Sequence, residues 1–216
     1  MYLATATLAS APGTAAAYSN LGFGLLGRAL EGASGQPYAT LLQERIVGPL
    51  GISDTVLRLN EDQRKRLMTG HNFDGKPMPP FDAPDTMAAS GGLYSTANDM
   101  IAFMRWHLNR NSPERASVRV VDHAIYLPRD GLSTVLGLDE AGHMDGLGLA
   151  WIAMMPNGPR PFILQKSGGI QGFFSYMALA PAHGVGVFVV ANKFDFGALL
   201  RMAAAANQLV SELGPR

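Results

Sequence analysis

The sequence predicts an α+β fold, an antiparallel sheet flanked by helices and joined to a helical lobe. Three observations carry this. The first part of the chain is punctuated as helices. After about residue 145 come short runs rich in β-branched and aromatic residues between tight Gly or Pro turns, and the chain ends on an amphipathic segment. Helices first and hairpin-linked strands later argue against alternating βαβ units. With 216 residues, 47% of them hydrophobic, the chain can bury a real core. It is expected to form one unit over 1–216, with about 18–145 mainly helical and about 146–216 built from strands and the last helix.

The elements follow in order. "YSNLGFGLLGRALEGASG" places Leu21, Leu25, Leu26 and Ala29 on one helical face, with Gly35 where a C-cap glycine belongs. "QPYATLLQERIVGPLG" predicts a second helix, with Pro37 in its first turn, Tyr38, Leu41, Leu42 and Ile46 at helical spacing, and Gly48 and Pro49 as its stop. From Asn60 to Asp85 the text is polar and Pro-rich, a loop with a short helical piece near "EDQRKRLM". Thr96 with Asp99 reads as a capping box before a third helix carrying Met100, Ile101, Met104 and Leu108. The stretch 110–145 has weak periodicity, with some helix expected. "GLGLAWIAMMP", "RPFILQ", "FFSYMALAP" and "GVGVFVVAN" predict an antiparallel meander, and "GALLRMAAAANQLVSELG" a helix covering one face of it.

Composition removes several function classes. Seventeen basic residues balance seventeen acidic ones, so there is no electrostatic footprint for nucleic acid or an anionic membrane surface. The absence of cysteine excludes disulfides, thiolate metal sites and a cysteine nucleophile. His71, His107, His123, His143 and His183 show no i, i+4 metal pair and read as surface or packing residues; no metal and no cofactor are expected. No apolar run approaches the ~20 residues of a membrane-spanning helix. "YLATATLASA" lacks the basic start of a signal peptide and is not read as one. There is no glycine-rich phosphate loop, and "GASGQ" fails the last position of a G-x-S-x-G elbow.

What remains is a pair of small polar motifs: Tyr18-Ser19-Asn20 at the start of the first helix, and Lys166-Ser167-Gly168 between two strand-like runs. Either alone is weak. A tyrosine at a helix start usually packs with its hydroxyl hydrogen-bonded, and a lysine on a strand is commonly an edge device.

Together, and with "PGTAAAYSNLGFGLLGRALEGASGQPY", "PLGISDT", "ASGGLYSTANDM" and "QKSGGIQGFFSYMALAP" followed by "GVGVFVVAN", they resemble the serine β-lactamase and penicillin-binding-protein superfamily. The branch is the class C one, with Tyr-x-Asn as second motif and Lys-Thr/Ser-Gly as third. Within it, "SVRVVDHAIYLPRDGLSTVLGLDEAG" leading into "LGLAWIAMMP" is similar to the AmpH-type D-alanyl-D-alanine carboxypeptidase/endopeptidases. The resemblance implies a β-lactamase/transpeptidase-like fold and acyl transfer from a peptidoglycan stem peptide ending in D-Ala-D-Ala, or from a β-lactam, in the periplasm.

Residue roles follow by the same resemblance. Tyr18 would be the base or proton relay. A free tyrosine titrates near ~10, so it needs cations that favour the phenolate, and Lys166 would be one. Lys166 would also attract the carboxylate of the substrate. Asn20 would bind the acyl amide, and Ser167 the carboxylate. Gly168 and Gly169 would let substrate lie along the strand as an added strand, with the Gly169 N–H as an oxyanion donor. Ser90-Gly91-Gly92 would line the same cleft or form a plain turn, and Gln171 reads as a turn residue.

One departure is large. The superfamily's first motif is Ser-x-x-Lys, and no serine here has lysine three positions on. The expectation is a chain lacking its N-terminal portion, paired with a missing piece that holds the serine. The alternatives are a non-catalytic module for cell-wall peptides or penicillin, and an esterase of the same fold. An exposed sheet edge left by missing strands predicts self-association.

Overall fold

The computed structural model describes residues 5–113 and 116–214; the first three residues of the apolar N-terminal segment lie outside them. Strand β1 (Ala15–Ala17) leads into helix α1 (Asn20–Ser34), which Ser19 caps by accepting the Gly22 N–H at 2.9 Å and Gly35 ends in the left-handed region at φ 70°. The chain continues as α2 (Tyr38–Leu42), a π-helical turn over Gln43–Val47 and α3 (Gly48–Leu50), stopping at Gly51. The expected stop at Gly48 and Pro49 is therefore one turn early. Pro49 sits in the first turn of α3, where its missing N–H is no loss.

The face of α1 differs more. Leu21 and Leu26 are about half exposed, and the buried residues of the helix are Gly24 and Gly27. The reason is backbone approach. A Cβ on Gly24 would lie 2.2 Å from the Thr86 carbonyl oxygen, and one on Gly27 2.6 Å from the Ala89 Cβ. The apolar spacing is helical, yet the packing face is the glycine face, set against the 3-10 turn Asp85–Met87 and helix α5 (Ala88–Gly91).

Between them, α4 (Glu61–Arg66) forms with a full capping box between Asn60 and Gln63, and a small hairpin pairs β2 (Gly70–His71) with β3 (Pro77–Met78). Helix α6 (Ala97–Leu108) has half of its expected box. Thr96 accepts the Asp99 N–H at 3.2 Å, but the Asp99 carboxylate turns away to the Asp54 N–H (2.9 Å) and the Thr55 hydroxyl (2.8 Å), tying α6 to the loop after α3. In the weakly periodic stretch, α7 (Ala116–Asp122) forms the expected helix. Strands β4 (Leu127–Pro128) and β5 (Thr134–Leu136) also form there, β5 pairing in parallel with β1.

The sheet has six antiparallel strands in the order β10-β9-β8-β7-β6-β4, with β6 (Gly146–Leu147), β7 (Ile152–Met154), β8 (Ile163–Ile170), β9 (Phe173–Ala180) and β10 (Val185–Ala191). Helix α8 (Phe196–Leu213) covers one face through Leu199, Ala203, Ala206 and Val210, packed on Ile163, Tyr176 and Ala178. Helix α6 covers the other, where Met104 packs with Trp151, Leu164, Met177 and Leu179. Strand alternation sends neighbouring residues to opposite faces, and this fixes where the Lys166 side chain points. Among the described residues, no helix is long and apolar enough to cross a membrane.

Candidate functional site

Strand β8 does not end at Lys166. It runs on through Ser167, Gly168 and Gly169 to Ile170, all paired with β9, and turns at Gln171-Gly172 with φ of 46° and 77°. The left-handed pair makes a two-residue hairpin turn, and Gly172 is the position where glycine is required: a Cβ there would lie 2.3 Å from the His71 N. On its other side, β8 is paired with β7 only from Ile163 to Gln165. From Lys166 onward that edge is free among the described residues, and Gly168 and Gly169 are exposed.

Lys166 lies on the same side as Leu164, facing the helical lobe, and there it meets Tyr18. Its Nζ is 4.9 Å from the centre of the Tyr18 ring and donates a 3.1 Å hydrogen bond to the Ser167 carbonyl. Tyr18 stands between β1 and α1, its N–H donating to the Leu136 carbonyl at 3.0 Å and its hydroxyl donating to Asn20 Oδ1 at 3.0 Å. The two motifs, 148 positions apart (166 − 18), are thus in contact. Ser167 falls on the opposite face from Lys166, half-buried beside the free edge. Burial pushes the Lys166 ammonium below the usual lysine range, and the field of the Glu140 carboxylate works against that shift.

The serine between Tyr18 and Asn20 proves structural: Ser19 caps α1. Gly91 comes near the strand, a Cβ there lying 3.8 Å from Ile170 Cδ1, while the Ser90 hydroxyl is spent on the Met87 carbonyl at 3.0 Å. Glu140 was not found in sequence, since it sits in the weakly periodic stretch and no motif spacing marks it.

Two other features lie away from this edge. A cleft of about 850 Å³ is lined by Arg28, Glu31, Tyr38, Arg58 and Asp85 among others, but by none of the predicted site residues. Its charges are already paired, Arg28 with Glu31 at 2.7 Å and Arg58 with Asp85 at 3.2 Å. His107, Asp122 and His123 bring one possible metal ligand atom each to within 4.8 Å of one another. The two rings, however, are joined Nδ1 to Nε2 at 3.0 Å with centroids 5.2 Å apart and planes 22° apart, an end-to-end hydrogen bond. One of these two nitrogens then carries the hydrogen and the other spends its lone pair on it, where an ion would need both lone pairs turned toward it. The spacing of 16 residues hid this contact from a search for i, i+4 pairs.

Comparison with known proteins matches this architecture. A family model described as Beta-lactamase matches residues 1–211. The D-alanyl-D-alanine-carboxypeptidase/endopeptidase AmpH of Escherichia coli K12 is 41% identical over 214 residues, covering 98% of this chain and 54% of the relative. A Beta-lactamase of Pseudomonas fluorescens is 26% identical, covering 86% and 56%. A crystal structure of a Beta-lactamase/D-alanine Carboxypeptidase from Yersinia pestis, complexed with citrate, superimposes with a TM-score of 0.86 at 40% identity, covering 98% of this chain and 59% of that one. A class C beta lactamase from Rhodobacter sphaeroides, at 23% identity and a TM-score of 0.71, covers 92% and 61% and shares the fold. The chain spans about half the length of the curated relatives it matches. With the sheet, its two covering helices and the matched stretch all in agreement, the chain belongs to the beta-lactamase family.

Proposed function

We propose that Tyr18, Asn20 and the strand Lys166–Gly169 are the substrate-binding half of a serine acyl-transfer site of the β-lactamase and D,D-peptidase type. Its ligand is a peptidoglycan stem peptide ending in D-Ala-D-Ala, or a β-lactam, in a periplasmic setting. One observation carries this reading: the free edge of β8 begins at a half-buried cation that is 4.9 Å from a tyrosine ring. An extended peptide adds to such an edge by main-chain hydrogen bonds, and its carboxylate finds the Lys166 ammonium in a partly desolvated place where charge-assisted bonds are strong.

The roles follow from chemistry. Tyr18 relays the proton of the nucleophile, and the Lys166 cation stabilises negative charge as it develops on the phenol oxygen. Asn20 is oriented by the Tyr18 hydroxyl, which occupies its Oδ1 and leaves its amide NH₂ to donate to an acyl carbonyl. Ser167 meets the carboxylate from the other face, and the Gly169 N–H serves the oxyanion.

The sequence holds no Ser-x-x-Lys, so in this proposal the nucleophile comes from a segment corresponding to the part of the relatives that this chain does not span. The same sequence fact favours a second reading, a module that binds without acylation. The two make different predictions. In the first, mass spectrometry finds no penicillin adduct on this chain alone, and one appears when a segment bearing Ser-x-x-Lys is added; an adduct on the isolated chain would overturn it. In both, calorimetry with a D-Ala-D-Ala peptide shows saturable binding that Lys166→Ala weakens about tenfold or more, the cost of a charged hydrogen bond. Undiminished binding by Lys166→Ala rejects the site.

A further inference from the structure

The strand itself does not explain the glycine at 169. Its backbone stays out of the left-handed region and pairs with Phe174 like any strand residue. A Cβ there would meet nothing closer than 3.5 Å, from Phe174 Cδ2 and Phe194 Cε2, which is ordinary van der Waals contact, unlike the close approach at Gly172. What a side chain at this position would do is cover the ring of Phe194. Phe174 is buried, but Phe194 keeps 37% of its surface exposed, beside an exposed Gly169 on the free edge of β8. The ring is held there by its backbone. The Phe194 N–H donates to the His71 carbonyl at 2.8 Å, the His71 N–H donates to the Asn192 carbonyl at 2.8 Å, and Asp195 then caps α8 by accepting the Ala198 N–H at 2.8 Å. By strand alternation the ring lies on the face that Ser167 uses, opposite to the Lys166 side chain.

We propose that Phe194, left bare by Gly169, is a specificity-determining residue of this edge, an apolar subsite for an aromatic or large apolar group on the ligand. The inference rests on the function proposed above, in which an extended peptide lies along β8 with its carboxylate at Lys166. Three strand steps from Lys166 to Gly169 span about 10 Å, and a dipeptide covers about 7 Å of that, so the group on its amino end arrives beside Phe194. An aromatic group there gains ring contact and buries apolar area, where a small one leaves the Phe194 ring in water.

Calorimetry with N-acetyl-D-Ala-D-Ala and N-phenylacetyl-D-Ala-D-Ala tests this, since the two share the carboxylate end and differ by one phenyl ring. The phenylacetyl form is expected to bind about tenfold tighter. Phe194→Ala should remove most of that advantage and Phe194→Leu should keep part of it. Gly169→Ala, whose methyl fits the space but lies against the ring, should also reduce it. Leu213→Ala, an exposed apolar residue at the far end of α8, should leave it in place. An advantage that survives Phe194→Ala overturns the proposal, as does one lost equally in Leu213→Ala, which would mean diffuse adsorption to apolar surface. Loss of the folded state in both Phe194 variants also overturns it, because a ring that serves a ligand is dispensable for folding. Equal binding of the two dipeptides overturns the subsite and leaves the edge standing, whereas binding of neither rejects the edge and the subsite with it.

Discussion

At the scale of the residue, Lys166 shows how a side chain common on strand edges becomes something else by placement. It is half-buried, faces an aromatic ring, and its ammonium is held below the usual lysine range by desolvation. Ligand binding through it should therefore weaken as pH rises, and do so at lower pH than an ordinary lysine near ~10.4 would dictate. Calorimetry of peptide binding across the alkaline range checks this; a flat profile up to the ordinary lysine range contradicts it. Tyr176 is the contrasting case, a buried phenol pushed up by burial and bonded to Asn207 at 2.7 Å. Tyr176→Phe removes that bond and leaves Asn207 short of a partner, so urea unfolding should show a loss of about 1–2 kcal/mol with no change in Lys166 titration.

The elements show where pattern and packing part company. Helix α1 has an apolar spacing that forecasts a leucine face, and it packs by glycines because the Thr86 carbonyl oxygen and the Ala89 Cβ come too close for any Cβ. Gly24→Ala and Gly27→Ala should each destabilise by about 1–3 kcal/mol through overpacking. Gly32→Ala, in the same helix with nothing within 4 Å, should stabilise by roughly 0.5–1 kcal/mol from helix propensity alone. Thermal melting of the three variants decides between the two faces, and a uniform gain would mean that α1 packs otherwise. Asp99 teaches the same lesson. Its spacing from Thr96 signals a cap, but its carboxylate serves Asp54 and Thr55, 45 and 44 positions away, because a buried carboxylate gains more from two such donors than from one exposed amide.

For the whole molecule, the pair His107 and His123 couples stability to pH. Desolvation, with the positive fields of His123 and Arg119, lowers the His107 imidazole from 6.5 to about 3, and Asp122 lies beside both rings. A base whose folded value lies below its unfolded one binds fewer protons folded than unfolded, so stability rises with pH between the two values. It should fall progressively as pH drops through about 6.5 toward about 3, at up to ~1.4 kcal/mol per pH unit for this one group. Urea midpoints measured over that range should show this slope, reduced in His107→Gln. The sheet adds a second property. The outer edge of β10, Val185–Ala191, carries neither charge nor proline and is unpaired among the described residues, with Val190 half exposed. Concentration-dependent association in sedimentation, relieved by Val190→Lys, is the expected outcome; a monomer at all concentrations would show the edge to be protected.

The sequence by itself determined the fold class, the helix caps at Gly35 and Thr96, the strand runs and the two motifs of the proposed site. These are local matters, set by backbone propensity, side-chain period and residue type, all written in short windows. Tertiary structure alone decided that Tyr18 and Lys166 touch, that β8 keeps a free edge from Lys166 onward among the described residues, that α1 buries glycines rather than leucines, and that the Asp99 carboxylate serves Asp54 and Thr55. The physical reason is common to all four: each depends on how closely distant backbones approach and on how much water they exclude, and neither quantity has a period along the chain.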